Sequence, residues 1–219
     1  VKSKVHQVKS KNILDLWIMA RLNEALKETT ESMEKYELDR AFRPIADFVD
    51  DLSTWYLRRS RDRFKDDDKK DKDSALSTLK TVISELSKII APFMPFIADE
   101  LYQKMRGKKD QESVHLSAWS KIDKKKIDKN ILQDMTEVRR IVSLGLEARV
   151  KSGMKVRQPL NELKVKSPQL KAKKDFIELI KDELNIKNVS FDKNLAEEVS
   201  LDIILTEELK EEGIIRELV

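Results

Sequence analysis

Apolar residues recur at helical spacing through most of this chain, and the stripes they draw predict its elements. From Asn12, a residue suited to capping, Leu14, Trp17, Ile18, Leu22, Ala25, Leu26, Thr29, Met33 and Tyr36 fall on one face and polar residues on the other. A second stripe runs through Phe42, Ile45, Phe48, Val49, Leu52, Trp55 and Tyr56. It predicts a helix over 38–63 with Asp39 as its cap, bent slightly at Pro44, which removes one backbone hydrogen bond. Acids and lysines fill 64–74 almost without apolar residues, and this segment reads as a solvated loop. The third helix carries Leu76, Leu79, Val82, Ile83, Leu86, Ile89 and Ile90 until Pro92 and Pro95 stop it. A fourth, over 95–105, turns Phe96, Ile97, Leu101 and Tyr102 inward, and Gly107 closes it. After a loop at 108–125, a fifth helix over 126–151 buries Ile127, Ile131, Leu132, Met135, Val138, Val142 and Leu146, and Ser152-Gly153 ends it.

Beyond Gly153 the period changes. Residues 163–166 alternate like a short strand, and Ser167-Pro168 supplies a cap and first-turn proline for a helix through about Asp182. Residues 189–191 and 199–205 read as strands, and Thr206 with Glu208 and Glu211 begins a last helix that the chain end cuts short. The expected fold is mainly α: a bundle of about five helices over 1–153, then a small α+β (βαββα) subdomain over 154–219. The first ten residues show no period and read as extended.

Composition narrows the chemistry. With no cysteine there is no disulfide, thiolate metal site or catalytic thiol. His6 and His115 are the only histidines, and His115, between Val114 and Leu116, reads as a packing or strand-end residue. Four scattered glycines make no phosphate-cradling loop, and no nucleophile–base pair stands out. Neither a signal peptide nor an apolar run near the ~18 residues of a membrane span is present, so a cytoplasmic location without a membrane partner is expected. The formal charge of +4 is uneven: from Asp192 onward nine acids face three bases, which leaves +10 on residues 1–191. Such a basic body suits a polyanion.

Two basic clusters offer it a surface. The first is Arg58, Arg59, Arg61 and Arg63. Stepping about 100° per residue from Leu52 puts Arg59 and Arg63 within about 20° of the apolar stripe, so they serve either structure or RNA, while Arg58 and Arg61 face solvent and suit phosphates. The second cluster holds Arg139, Arg140, Arg149, Lys151, Lys155 and Arg157, with Glu147 the one acid among them. Binding, rather than turnover, is the expected work.

The strings DFVDDLSTWYLRRSRDRF (47–64), IIAPFMPFIADELYQ (89–103), SVHLSAW (113–119), KVRQPL (155–160) and LTEELKEEGIIRELV (205–219) resemble, in order, the C-terminal part of isoleucyl-tRNA synthetases, class I aminoacyl-tRNA synthetases. The resemblance implies a bundle that binds the anticodon stem and loop of isoleucine tRNA, followed by an α/β junction, in a parent enzyme that attaches isoleucine to its tRNA with ATP. The tRNA-binding residues would be Arg58, Arg61, Arg139, Arg140, Arg149, Lys151, Lys155 and Arg157, joined by Arg59 and Arg63 if these are not structural. Neither the His-Ile-Gly-His nor the Lys-Met-Ser-Lys-Ser string of that family's catalytic core occurs, nor do the cysteine pairs that bind zinc in some members. The expectation is therefore a monomeric, catalytically inactive fragment with no cofactor of its own, whose partners are isoleucine tRNA and the catalytic domain of the same parent chain; ATP and magnesium would belong to that domain. Two alternatives stay open: a general RNA-binding module, and a protein-interaction bundle whose basic face meets an acidic partner.

Overall fold

The computed structural model describes residues 10–218, with side chains through Arg216. His6 and most of the segment expected to be extended lie outside the described residues. The chain divides into two compact units, Val1–Ile131 and Leu132–Val219. The border falls inside the predicted fifth helix, near its start, whereas the expected boundary was at 153/154.

In the first unit, α1 (Ile13–Glu34) starts as predicted, its first turn capped by Asn12, whose Oδ1 accepts from the Leu14 amide at 3.0 Å. Its stripe of Leu14, Trp17, Ile18, Leu22, Ala25 and Leu26 is buried and meets Ala41, Ile45 and Phe48 of α2 (Leu38–Asp50). Asp39 lies in the first turn of α2 rather than at its cap, because the cap position falls two residues earlier, at Glu37. Pro44 sits inside α2, but the departure from α geometry comes later, in a π-helical stretch at Asp51–Leu57. Hydroxyls bond back to the helix there: Ser53 donates to the Val49 carbonyl and Thr54 to that of Asp50, both at 2.8 Å. A short α3 (Arg61–Lys65) completes the predicted second helix.

The charged run is not the long loop expected. Asp68 caps α4 (Lys69–Ile90) by accepting from the Lys70 amide at 3.0 Å, so the lysines and aspartates after it form an exposed first turn. Helix α5 (Pro95–Met105) buries Ala98 and Tyr102, whereas Phe96 and Ile97, expected inside, are exposed. The following loop is tied down by side chains: Asp99 Oδ1 accepts from Ser113 Oγ and the Val114 amide, and Trp119 Nε1 donates to Thr30 Oγ1 at 3.0 Å. His115 sits exposed in a short 3-10 turn, not packed. Among the described residues no helix is long and apolar enough to cross a membrane.

The second unit is built on α6 (Lys129–Lys151), which begins just before the border, and on a three-stranded sheet ordered β2-β1-β3. Strand β1 (Leu160–Val165) pairs in parallel with β2 (Ile186–Phe191) through the α7 (Lys174–Leu184) crossover and antiparallel with β3 (Val199–Leu201), before α8 (Glu207–Leu218). This is the predicted βαββα order with shifted limits. Strands β1 and β2 start earlier than their alternation suggested, β3 is shorter, and α7 begins seven residues after Ser167. Leu160, Leu163 and Val165 of β1, Phe176, Leu179, Ile180 and Leu184 of α7, and Val138, Ile141 and Val142 of α6 are buried. The polar ties explain why α6 groups with the sheet: Lys173 grips the buried Asp134 carboxylate at 2.5 and 2.6 Å, and Arg140 reaches Glu198 at 3.2 Å.

Candidate nucleic-acid interface

Each basic cluster holds both buried or half-buried cations and exposed ones. In the first unit, Arg63 is consumed. Its Nη1 and Nη2 each donate at 2.9 Å to the Asp15 carboxylate, while Nε and Nη2 donate to Asp71 at 2.7 and 2.8 Å. Two bidentate forks on one guanidinium are the geometry that arginine, and not lysine, can supply. Asp15 is buried and also accepts from the Tyr56 hydroxyl at 2.8 Å. Burial, then the Asp15 charge, raises the Tyr56 phenol well above its ordinary range. For Arg63 burial works against the charge, but the bonds to Asp71 and Asp15 outweigh it and raise its pKa further. Of the two readings of Arg63, the structural one describes this geometry.

Arg59 is half-buried, as its place near the stripe predicts. Arg58 and Arg61 are exposed. Arg58 lies over the Trp55 ring, 5.9 Å from its centroid, and donates from Nε to the Thr54 carbonyl at 2.8 Å. These contacts spend Nε and one face of the guanidinium plane and orient what remains. Trp55 is itself only half-buried, although its stripe had placed it in the core.

The second unit sorts more sharply. Arg140 makes a bidentate bond to Glu137 at 2.8 and 2.9 Å and a third to Glu198, which raises its pKa and neutralises it locally. Lys151 pairs with Glu147 at 2.8 Å, but both are exposed, and such a solvent-screened pair is weak and exchanges readily for a phosphate. Arg139 is half-buried on α6. Arg149, predicted to meet RNA, is fully buried instead. It donates from Nη1 to the carbonyls of Lys155 and Gln158, and from Nη2 to those of Leu184 and Asn185, at 2.5–3.0 Å, while its Nε has no partner. Burial lowers its pKa to about 10, still charged at neutral pH. Lys155 and Arg157, on the turn that Arg149 holds, are exposed.

Gly145 makes room for this arrangement. A Cβ there would stand 2.4 Å from Leu184 Cδ1, so only glycine lets α6 approach the end of α7 this closely, and Arg149 follows one turn later at the carbonyls of Leu184 and Asn185. Gly153 then ends the helix in the left-handed region, φ +67°, with the Met154 amide reaching back to the Arg149 carbonyl at 2.9 Å.

Residues 15–166 match the family model described as the anticodon-binding domain of tRNA ligase. The chain belongs to that family. Both clusters, from Arg58 to Arg63 and from Arg139 to Arg157, fall inside the matched span of this anticodon-binding domain. It is similar to the isoleucine–tRNA ligase of Chlamydia trachomatis serovar L2, 43% identical over 181 residues, which are 81% of this chain and 18% of the relative. Its similarity to the Clostridium tetani isoleucine–tRNA ligase is 40% over 198 residues, 89% of this chain and 19% of the relative. The chain thus spans under a fifth of the length of these curated relatives.

Helical spacing hid two exposed aromatics of this anticodon-binding domain. Tyr36, assigned to the α1 stripe, is 90% exposed and left-handed, φ 60°, just past the helix end; Phe96, assigned to the α5 interior, is 89% exposed. Free ring faces of this kind are what unstacked bases require.

Proposed function

We propose that this chain grips the anticodon stem and loop of isoleucine tRNA within an isoleucine–tRNA ligase, the enzyme that attaches isoleucine to its tRNA at the expense of ATP. The observation that carries the reading is the exposure of basic residues inside a matched anticodon-binding span: Arg58, Arg61, Lys155 and Arg157 are exposed, whereas Arg63 and Arg149 are buried or half-buried in polar contacts. Lys and Arg held in solvent neutralise stem phosphates, and unstacked loop bases are read by ring stacking and by hydrogen bonds to their edges. Lys151, in its loose exposed pair, joins Lys155 and Arg157 on exchange of partners. ATP and magnesium would serve the catalytic domain of the same parent enzyme, which works in the cytoplasm as a monomer.

A filter-binding titration of isoleucine tRNA, with its natural anticodon and with a substituted one, tests the proposal. A substituted base still stacks but leaves the groups that read its edge unpaired, at a cost of ~1–3 kcal/mol, so the substituted tRNA should bind about five-fold more weakly or worse. Equal affinity for both, or for heparin at the same salt, would overturn anticodon recognition.

A further inference from the structure

Lys155 and Arg157 sit on a four-residue turn with unusual backbone bonding. All four of its carbonyls are held by just two side chains. Arg149 donates to the carbonyls of Lys155 and Gln158 at 2.8 and 3.0 Å; Asn185 Nδ2 donates to those of Val156 and Arg157 at 3.0 and 2.9 Å. The Gln158 amide closes the turn on the Lys155 carbonyl at 3.1 Å. Neither clamp is adventitious. Asn185 lies in the left-handed region at the end of α7, φ 49°, ψ 58°, and its Oδ1 accepts from Arg216 Nη1 at 2.7 Å, so its amide faces the turn with both N–H groups. Arg149 is fully buried among carbonyls with no carboxylate among its bonded partners.

On this turn Lys155, Val156 and Arg157 are exposed, while the Gln158 side chain turns inward to the Leu209 carbonyl. We propose that Arg149 and Asn185 are positioning residues for RNA: neither touches the nucleic acid, and together they fix the 155–158 backbone so that Lys155 and Arg157 meet two phosphates in a set geometry. A mobile turn with the same charge would pay the ordering entropy at the moment of binding; this one is ordered beforehand. The inference rests on the proposed tRNA-binding role of the turn.

The test is a cycle on the full chain, read as affinity for isoleucine tRNA and as its log–log salt dependence, where each phosphate contact contributes ~0.7–0.9 to the slope. Asn185→Gly keeps the left-handed backbone at no steric cost and deletes both donors. Asn185→Asp, nearly isosteric but without the N–H pair, is the second variant; far-UV circular dichroism and the thermal midpoint confirm that each is folded. Arg157→Ala in the natural chain should lower the slope by ~0.7–0.9. Either Asn185 variant should lower it by up to two contacts, and adding Arg157→Ala to it should then change little. If Arg157→Ala matters but the Asn185 variants bind like the natural chain, or if the two effects simply add, positioning is overturned while the RNA-binding turn survives. If Arg157→Ala itself changes nothing, the turn is not an RNA contact and both fall.

Discussion

Arg63 in the first unit and Arg149 in the second are both arginines folded inward beside basic runs, but Arg63 meets two carboxylates and Arg149 meets four carbonyls. A guanidinium forked by Asp15 and Asp71 contributes no net positive charge to its surroundings; it is a strut that joins α1, α3 and α4. A guanidinium caged by carbonyls keeps its charge and adds it to the potential beneath Lys155 and Arg157. The same residue type thus does two jobs, decided by whether acids or backbone oxygens come to meet it. Net charge along the sequence cannot tell these apart, since only the fold decides which cations are cancelled.

The comparison breaks most visibly at Arg63. Arg63→Ala leaves Asp15, whose side chain is fully buried, without its counter-ion. An uncompensated buried charge costs about 3–5 kcal/mol, so the first unit should show a large drop in its unfolding midpoint in urea. Arg149→Met should cost less, about 2–3 kcal/mol, because carbonyls without donors are a milder penalty than a stranded carboxylate. Chemical denaturation of both variants checks the order, and a larger loss from Arg149→Met would mean that the carbonyl cage, not the carboxylate fork, is the stronger tie.

Most of the fold was legible because burial imposes a period. The inward faces of α1 and α4 follow the predicted stripes through Trp17, Ile18, Leu22, Val82, Leu86 and Ile90. What failed were places where period underdetermines geometry. Helix α5 is so short that Phe96 and Ile97 fit an inward arc as well as an outward one, and the fold chose Ala98 and Tyr102. The acids of 66–68 looked like loop, yet Asp68 is a cap, a role that needs one side-chain oxygen and leaves no trace in hydropathy. The fate of Arg149 was legible in principle: stepping about 100° per residue from Val142 puts it within about 20° of the α6 stripe, the same step that left Arg63 either structural or RNA-binding. Asn185 gave a weaker signal, an asparagine between a helix and a strand, where the left-handed cap is common. Gly145 gave none, because a close approach of two helices depends on a partner the local sequence does not name.

Gly145→Ala sharpens the comparison by touching neither arginine. The added methyl meets Leu184, a buried side chain, and overpacking of this kind costs about 1–3 kcal/mol. It also pushes the end of α7 away from Arg149, so tRNA affinity should fall in the natural chain and by less in an Arg157→Ala background, where only the Lys155 contact is left to lose. The first unit, which holds neither residue, should keep its stability; a matching loss there, followed by hydrogen exchange, would contradict the division.

The smallest effect is a matter of sign. The Arg63 bonds hold the Asp71 carboxyl below its ordinary value of 3.8. A carboxyl whose folded pKa is depressed contributes stability that is complete above the unfolded value and disappears as pH falls through the folded one. Asp71 is partly exposed, so its pair is worth about 1 kcal/mol or less. Asp71→Asn should therefore lower the thermal midpoint slightly at pH 7, and the gap from the natural chain should close as pH drops below about 4. Arg149 has no titrating partner in that range, since carbonyls do not protonate there, and Arg149→Met should show a constant deficit across the same pH series. A gap that narrows for both variants would mean that global acid unfolding, not the Arg63 fork, sets the trend.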